Sequence, residues 1–199
     1  MLVGAAALAG CSRSSSSGTT SEATSALAAA PLIMTTTGPK DAVRIRITTS
    51  EGTIDVVLDR THAPKTTANF LHYVDTGFYN GGSFFRSVPG FVIQGGNKPL
   101  ERPTDPKLPL EDPIRTGLRN VDGAISMART REPNSATSEF FICDGNQPSL
   151  DGSMSQPGYA AFGRVTSGMV VVRNIANMPA ENQLLTKPVT IVSIKRISR

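Results

Sequence analysis

The chain has 199 residues, 39% of them hydrophobic and 18% charged, which suffices for one domain with its own core and is too little for two large ones. With 18 Gly, 14 Pro, no Trp and 6% aromatics, the composition argues against a helical bundle and for a turn-rich, strand-rich body. The net charge of +4 comes from Lys and Arg spread along the chain, and no basic run is interleaved with aromatics, which argues against a nucleic-acid site.

Residues 1–11 form a short apolar run ending in small residues and a cysteine, like the end of a secretion signal, although no Lys or Arg precedes it. The run is too short to span a bilayer, which takes about 20 apolar residues. Leu8-Ala9-Gly10-Cys11 resembles the bacterial lipobox. That resemblance implies acylation of Cys11, contact with a membrane through this lipid anchor only, and a place in the cell envelope, on the periplasmic side or the outer surface. Residues 12–40 are rich in Ser, Thr, Ala and Gly and cannot bury enough surface to offset their ordering entropy, so a flexible tether is expected there. The folded domain is expected over residues 41–199. With Cys11 acylated, Cys143 has no partner for a disulfide, and at the end of Phe140-Phe141-Ile142 it reads as a buried, inert thiol.

From Val43 the chain alternates, with Ile45 and Ile47 on one side and Arg44 and Arg46 on the other. Ser50-Glu51-Gly52 makes a turn, and Ile54, Val56 and Leu58 resume the alternation, which predicts an antiparallel hairpin. Pro64 suits the first turn of a helix, Ala68, Leu71 and Val74 share one face of it, and Gly77 stops it. Gly-rich turns follow, then the Pro-rich stretch Pro99 to Pro113, which fits no regular element and reads as a long surface loop. Further strands are predicted at Phe91–Gln94, Ala124–Ala128, Phe140–Cys143, Phe162–Val165 and Val189–Ile197, with a second helix near Met169–Ile175. Many short antiparallel strands with two helices predict a mostly β fold, a closed barrel capped by helices.

The segment Phe84-Phe85-Arg86-Ser87-Val88-Pro89-Gly90-Phe91-Val92-Ile93-Gln94-Gly95-Gly96 matches the cyclophilin signature F-x-R-x-x-P-G-F-x-x-Q-G-G at each fixed position. A second block, residues 123–130 followed by Ser135 to Ile142, resembles the bacterial periplasmic branch of that family, and the likeness runs from residue 43 to about 197. The resemblance implies a cyclophilin-like eight-stranded closed antiparallel barrel, a helix closing each end, and a groove on its outside. It implies a peptidyl-prolyl cis/trans isomerase in which Arg86 is catalytic. Phe91, Val92, Phe141 and Leu150 would line the proline pocket, and Gln94, Ala128, Arg129 and Thr130 the peptide groove. Tyr159 stands where many eukaryotic members have histidine.

The chemistry agrees with those residue types. Rotation about an X–Pro amide meets a barrier of about 20 kcal/mol, and the twisted state leaves a lone pair on the prolyl nitrogen. A guanidinium aimed at that nitrogen binds the twisted state better than either planar one, with no metal and no cofactor. Two positions depart from the family pattern: Glu139 replaces the usual glutamine beside the arginine, and Ser149 replaces a large aromatic. A carboxylate at 139 either holds the guanidinium or competes with substrate for it. The expected function is therefore an isomerase assisting the folding of secreted or envelope proteins, a monomer acting on proline-containing polypeptide clients. The second reading is a catalytically weak module that binds proline peptides.

Overall fold

The computed structural model describes residues 41–96, 111 and 113–198; the stretches expected to be a signal segment (1–11), a tether (12–40) and most of the Pro-rich loop lie outside the described residues. Strands β1 (Val43–Thr49) and β2 (Gly52–Leu58) pair around Ser50-Glu51. Their alternation sorts the faces as expected. Ile45, Ile47, Ile54, Val56 and Leu58 join one buried core, and on the other face Arg46 makes hydrogen bonds of 2.7 and 2.8 Å to Asp55, directly opposite it.

Helix α1 (Pro64–Asp75) begins on Pro64, where the missing N–H costs no hydrogen bond. It buries Thr66, Thr67, Phe70, Leu71, Tyr73 and Val74. Ala68, expected on the buried face, is exposed, because the bulky Phe70 and Tyr73 decide which side of the helix turns inward. Ala63 at the N-cap has no side chain to offer the first N–H groups. Glu111 supplies one instead, its two oxygens accepting from the N–H groups of Lys65 and Thr66 at 2.9 and 3.0 Å.

β3 (Ser83–Val88) and β4 (Val92–Gly96) form a hairpin over Pro89-Gly90. The Phe91 N–H donates to the Val88 carbonyl at 3.0 Å and Gly90 has φ 69°, a type II turn with glycine where the left-handed conformation is required. β3 is not among the strands expected from the sequence. Its alternation is broken by a bulge: Phe84 stands opposite Gly95 and Arg86 opposite Gln94, so Phe85 is an extra residue.

The chain continues through α2 (Pro113–Thr116), β5 (Ala124–Met127), β6 (Phe140–Cys143), a 3-10 turn at Pro148–Leu150, β7 (Ala161–Ser167), α3 (Met169–Ala176), β8 (Ala180–Glu181) and β9 (Leu184–Arg196). α2 stands at the end of the stretch read as irregular, and β9 starts at Leu184, ahead of the expected Val189. The bonded order is β1-β2-β7-β5-β6-β4-β3-β9, and β9 pairs back onto β1. Eight antiparallel strands thus close the expected barrel, leaving β8 as a hairpin arm on β9. Phe70 from α1 and Val172, Ile175 and Ala176 from α3 share one core with Phe84, Phe140 and Phe162, so both longer helices pack on the barrel interior. The Phe70 ring lies 5.2 Å from Tyr79 and 5.4 Å, edge-on, from Phe140, and this aromatic cluster helps fill the barrel without tryptophan.

Candidate active site on the outer face of the barrel

β5, β6, β4 and β3 lie side by side, and along β5, β6 and β4 successive residues point to opposite faces. Ile125, Met127, Phe140, Ile142 and Ile93 enter the barrel core. Their neighbours Ala124, Phe141, Cys143 and Val92 form a second, smaller apolar cluster, against which Phe91, Ala128, Leu150 and Tyr159 pack. The structure therefore brings together the pocket residues named from the sequence. Phe141 is 4% exposed, and Tyr159 meets it edge-on with ring centroids 5.5 Å apart.

Arg86 reaches this face because of the bulge. Strand parity alone would send it to the side of Phe84, whose ring is fully buried in the core, and the extra Phe85 turns it over. Arg86, Gln94, Phe141 and Ser126 then stand in one row across four strands. That places the backbones of Arg86 and Phe141 two strand spacings apart, about 10 Å.

The guanidinium is held from two sides. Its Nη1 donates to Gln94 Oε1 at 3.1 Å, while Nε and Nη2 both donate to Gln183 Oε1 at 3.0 and 2.6 Å. Gln94 Nε2 in turn donates to Glu139 Oε2 at 3.0 Å, so Glu139 reaches Arg86 through an amide. Gln183 is absent from the residues expected in the site, and nothing in its local sequence signals it.

Residues 44–196 match the family model for cyclophilin type peptidyl-prolyl cis-trans isomerases. The chain belongs to the cyclophilin family. It is 41% identical over 166 residues to peptidyl-prolyl cis-trans isomerase A of Dickeya dadantii, covering 79% of this chain and 86% of the relative. It is 40% identical over 131 residues to peptidyl-prolyl cis-trans isomerase B of Escherichia coli K12, covering 64% and 80%. The crystal structure of a cyclophilin type isomerase from Cryptosporidium parvum superposes with a TM-score of 0.69 at 26% identity, over 79% of this chain and 99% of that one. A crystal structure of the same protein in the presence of the dipeptide Ala-Pro gives 0.67 at 27% identity, over 78% and 99%.

Elsewhere around the site, this cyclophilin uses its polar residues as braces. Arg129 stacks on Tyr159, its Cζ 4.3 Å from the ring centroid, and donates from Nε and Nη2 to the Gly158 carbonyl at 3.0 and 2.7 Å. Gly158 has φ 60°, and a Cβ there would lie 2.2 Å from the Gly152 nitrogen, so only glycine lets that carbonyl face the arginine. Thr130, also expected along the groove, bonds Ser135 in an exposed loop. Ser149 is exposed on the 3-10 turn.

Asn120, which the sequence does not single out, ties the pocket loops together. Its Nδ2 donates to Asp151 Oδ1 and to the Tyr159 carbonyl, both at 3.1 Å, and its Oδ1 accepts from Ser126 Oγ at 2.8 Å. Cys143 lies beneath the pocket, its thiol pushed up to about 12 by burial and then by the negative charges of Asp151 and Asp122. Among the described residues no group of three or more His, Cys, Asp and Glu is placed to hold a metal ion. His62 is engaged by Asp59 at 2.7 Å in the turn before α1.

Proposed function

We propose that this cyclophilin isomerises X–Pro bonds in polypeptides at the cell envelope, with Arg86 as the catalytic group and Phe91, Val92, Phe141, Leu150 and Tyr159 receiving the proline ring. The observation that carries the reading is the juxtaposition of an oriented guanidinium and a compact apolar cluster on one outer face. The apolar cluster takes the pyrrolidine ring in planar and twisted states alike. The guanidinium favours the twisted state, in which the prolyl nitrogen becomes an acceptor. An acceleration of about five orders of magnitude corresponds to roughly 7 kcal/mol. That the related isomerase of Cryptosporidium parvum was crystallised in the presence of Ala-Pro supports a prolyl segment as the ligand class.

The test is Arg86→Ala, assayed on a proline tetrapeptide and on a protein whose refolding is limited by proline. Turnover should fall by two to three orders of magnitude, about 3–4 kcal/mol, with peptide binding little changed. Phe141→Ala should weaken binding as well as rate. If Arg86→Ala keeps the parental rate, the assignment fails.

Placement at the envelope is supported by Leu8-Ala9-Gly10-Cys11 and by the Ser-rich segment after it. Protein made with its full signal should partition into detergent, and Cys11→Ser should not. Recovery of the unchanged chain as unacylated soluble protein would sink this part of the reading.

A further inference from the structure

β8 and β9 are joined by Asn182 and Gln183, with Glu181 opposite Leu184 across the turn. Both linking residues are left-handed, at φ 49° and 71°, the signature of a type I′ turn. Such turns favour Asn followed by Gly, so Asn182 suits its place and Gln183 is strained in its own. A glutamine kept where glycine would relax the backbone directs attention to what its side chain does.

That side chain accepts from Nε and Nη2 of Arg86, a residue 97 positions away, at 3.0 and 2.6 Å. The Gln183 carbonyl accepts from the Ser87 N–H at 2.9 Å, so the turn grips two successive residues of β3. A guanidinium has five N–H donors. Among the described residues, Gln183 takes two and Gln94 takes one. One N–H on each terminal nitrogen is left, which is the pair that can address a prolyl nitrogen and a neighbouring carbonyl together. The acceptor is also neutral. It orients the cation without cancelling the charge that the twisted amide uses, as a carboxylate in the same place would.

Resting on the assignment of Arg86 as the catalytic group, we propose that Gln183 is a positioning residue for the isomerase reaction, fixing the guanidinium plane from the β8–β9 turn so that its free edge faces the substrate.

The experiment separates stability from turnover. Gln183→Gly relieves the left-handed strain and should leave the melting temperature equal or higher, while kcat on a proline tetrapeptide falls about tenfold and KM stays within about twofold. Gln183→Asn also tolerates the turn but is one carbon too short to span to Nε and Nη2, and it should lose turnover as the glycine variant does. In an Arg86→Ala background Gln183→Gly should have no further effect on rate. Parental or faster turnover in Gln183→Gly, with Arg86→Ala still inactive, overturns the role of Gln183 and leaves Arg86 in place. A loss of both stability and turnover in the glycine and asparagine variants alike makes the residue structural and also overturns it. Parental turnover in Arg86→Ala instead overturns the catalytic assignment on which this inference rests.

Discussion

Gln94 stands directly across the β3–β4 hairpin from Arg86, and its Oε1 accepts from Nη1 at 3.1 Å. That amide can face Arg86 with its oxygen only if its nitrogen is satisfied elsewhere, and the Glu139 carboxylate, an acceptor alone, does so at 3.0 Å. The departure from glutamine at 139 is thus compatible with an oriented guanidinium.

The consequence is testable at position 139. Glu139→Gln replaces a charged acceptor by a neutral one and should lower kcat/KM by about two- to threefold. Glu139→Lys offers a donor, turns the Gln94 oxygen away from Arg86 and should lower it at least tenfold. A clear rise in activity in Glu139→Gln would mean that the carboxylate competes with substrate instead.

The second prediction concerns stability. Glu111 caps α1 where Ala63 cannot, so Glu111→Ala should destabilise the domain by about 1–2 kcal/mol and lower the melting temperature by roughly 2–8 °C, with isomerase activity at 25 °C unchanged. Thermal unfolding followed by circular dichroism checks it; an unchanged melting temperature would show that the cap contributes nothing.

The third rests on Cys143. A thiol raised from 9.0 to about 12 is protonated and buried in the native state, so it should not react with a thiol reagent at pH 8 until denaturant unfolds the chain. The linkage runs in one direction. Below about pH 9 both states hold the proton and the stabilisation is complete; between 9 and 12 the unfolded chain loses its proton first, so stability falls as pH rises. Cys143→Ala should flatten that alkaline limb, and an equally steep limb in the variant would count against it.

Much of the fold was legible because its signals are local. The alternation of Ile45 and Ile47 against Arg44 and Arg46, the Ser50-Glu51-Gly52 turn and Pro64 opening a helix each depend on residues a few positions apart. β3 escaped because Phe85 interrupts its period-2 pattern, and Ala68 was placed on the wrong face because its small side chain does not decide how the helix lies.

By itself the sequence determined the class of barrel and the family, and it pointed to Arg86 and the pocket residues as candidates, since a motif such as residues 84–96 carries its chemistry in adjacent positions. Tertiary structure alone decided which way Arg86 points and what holds it. Strand parity would have sent it inward, and the bulge turns it out. Its partner Gln183 lies 97 residues away, Asn120 meets Asp151 31 residues on, and Glu111 caps a helix that begins 47 positions earlier, at Pro64. Such contacts leave no trace in local periodicity, because barrel closure brings together segments whose sequences place no constraint on one another until the strands pair.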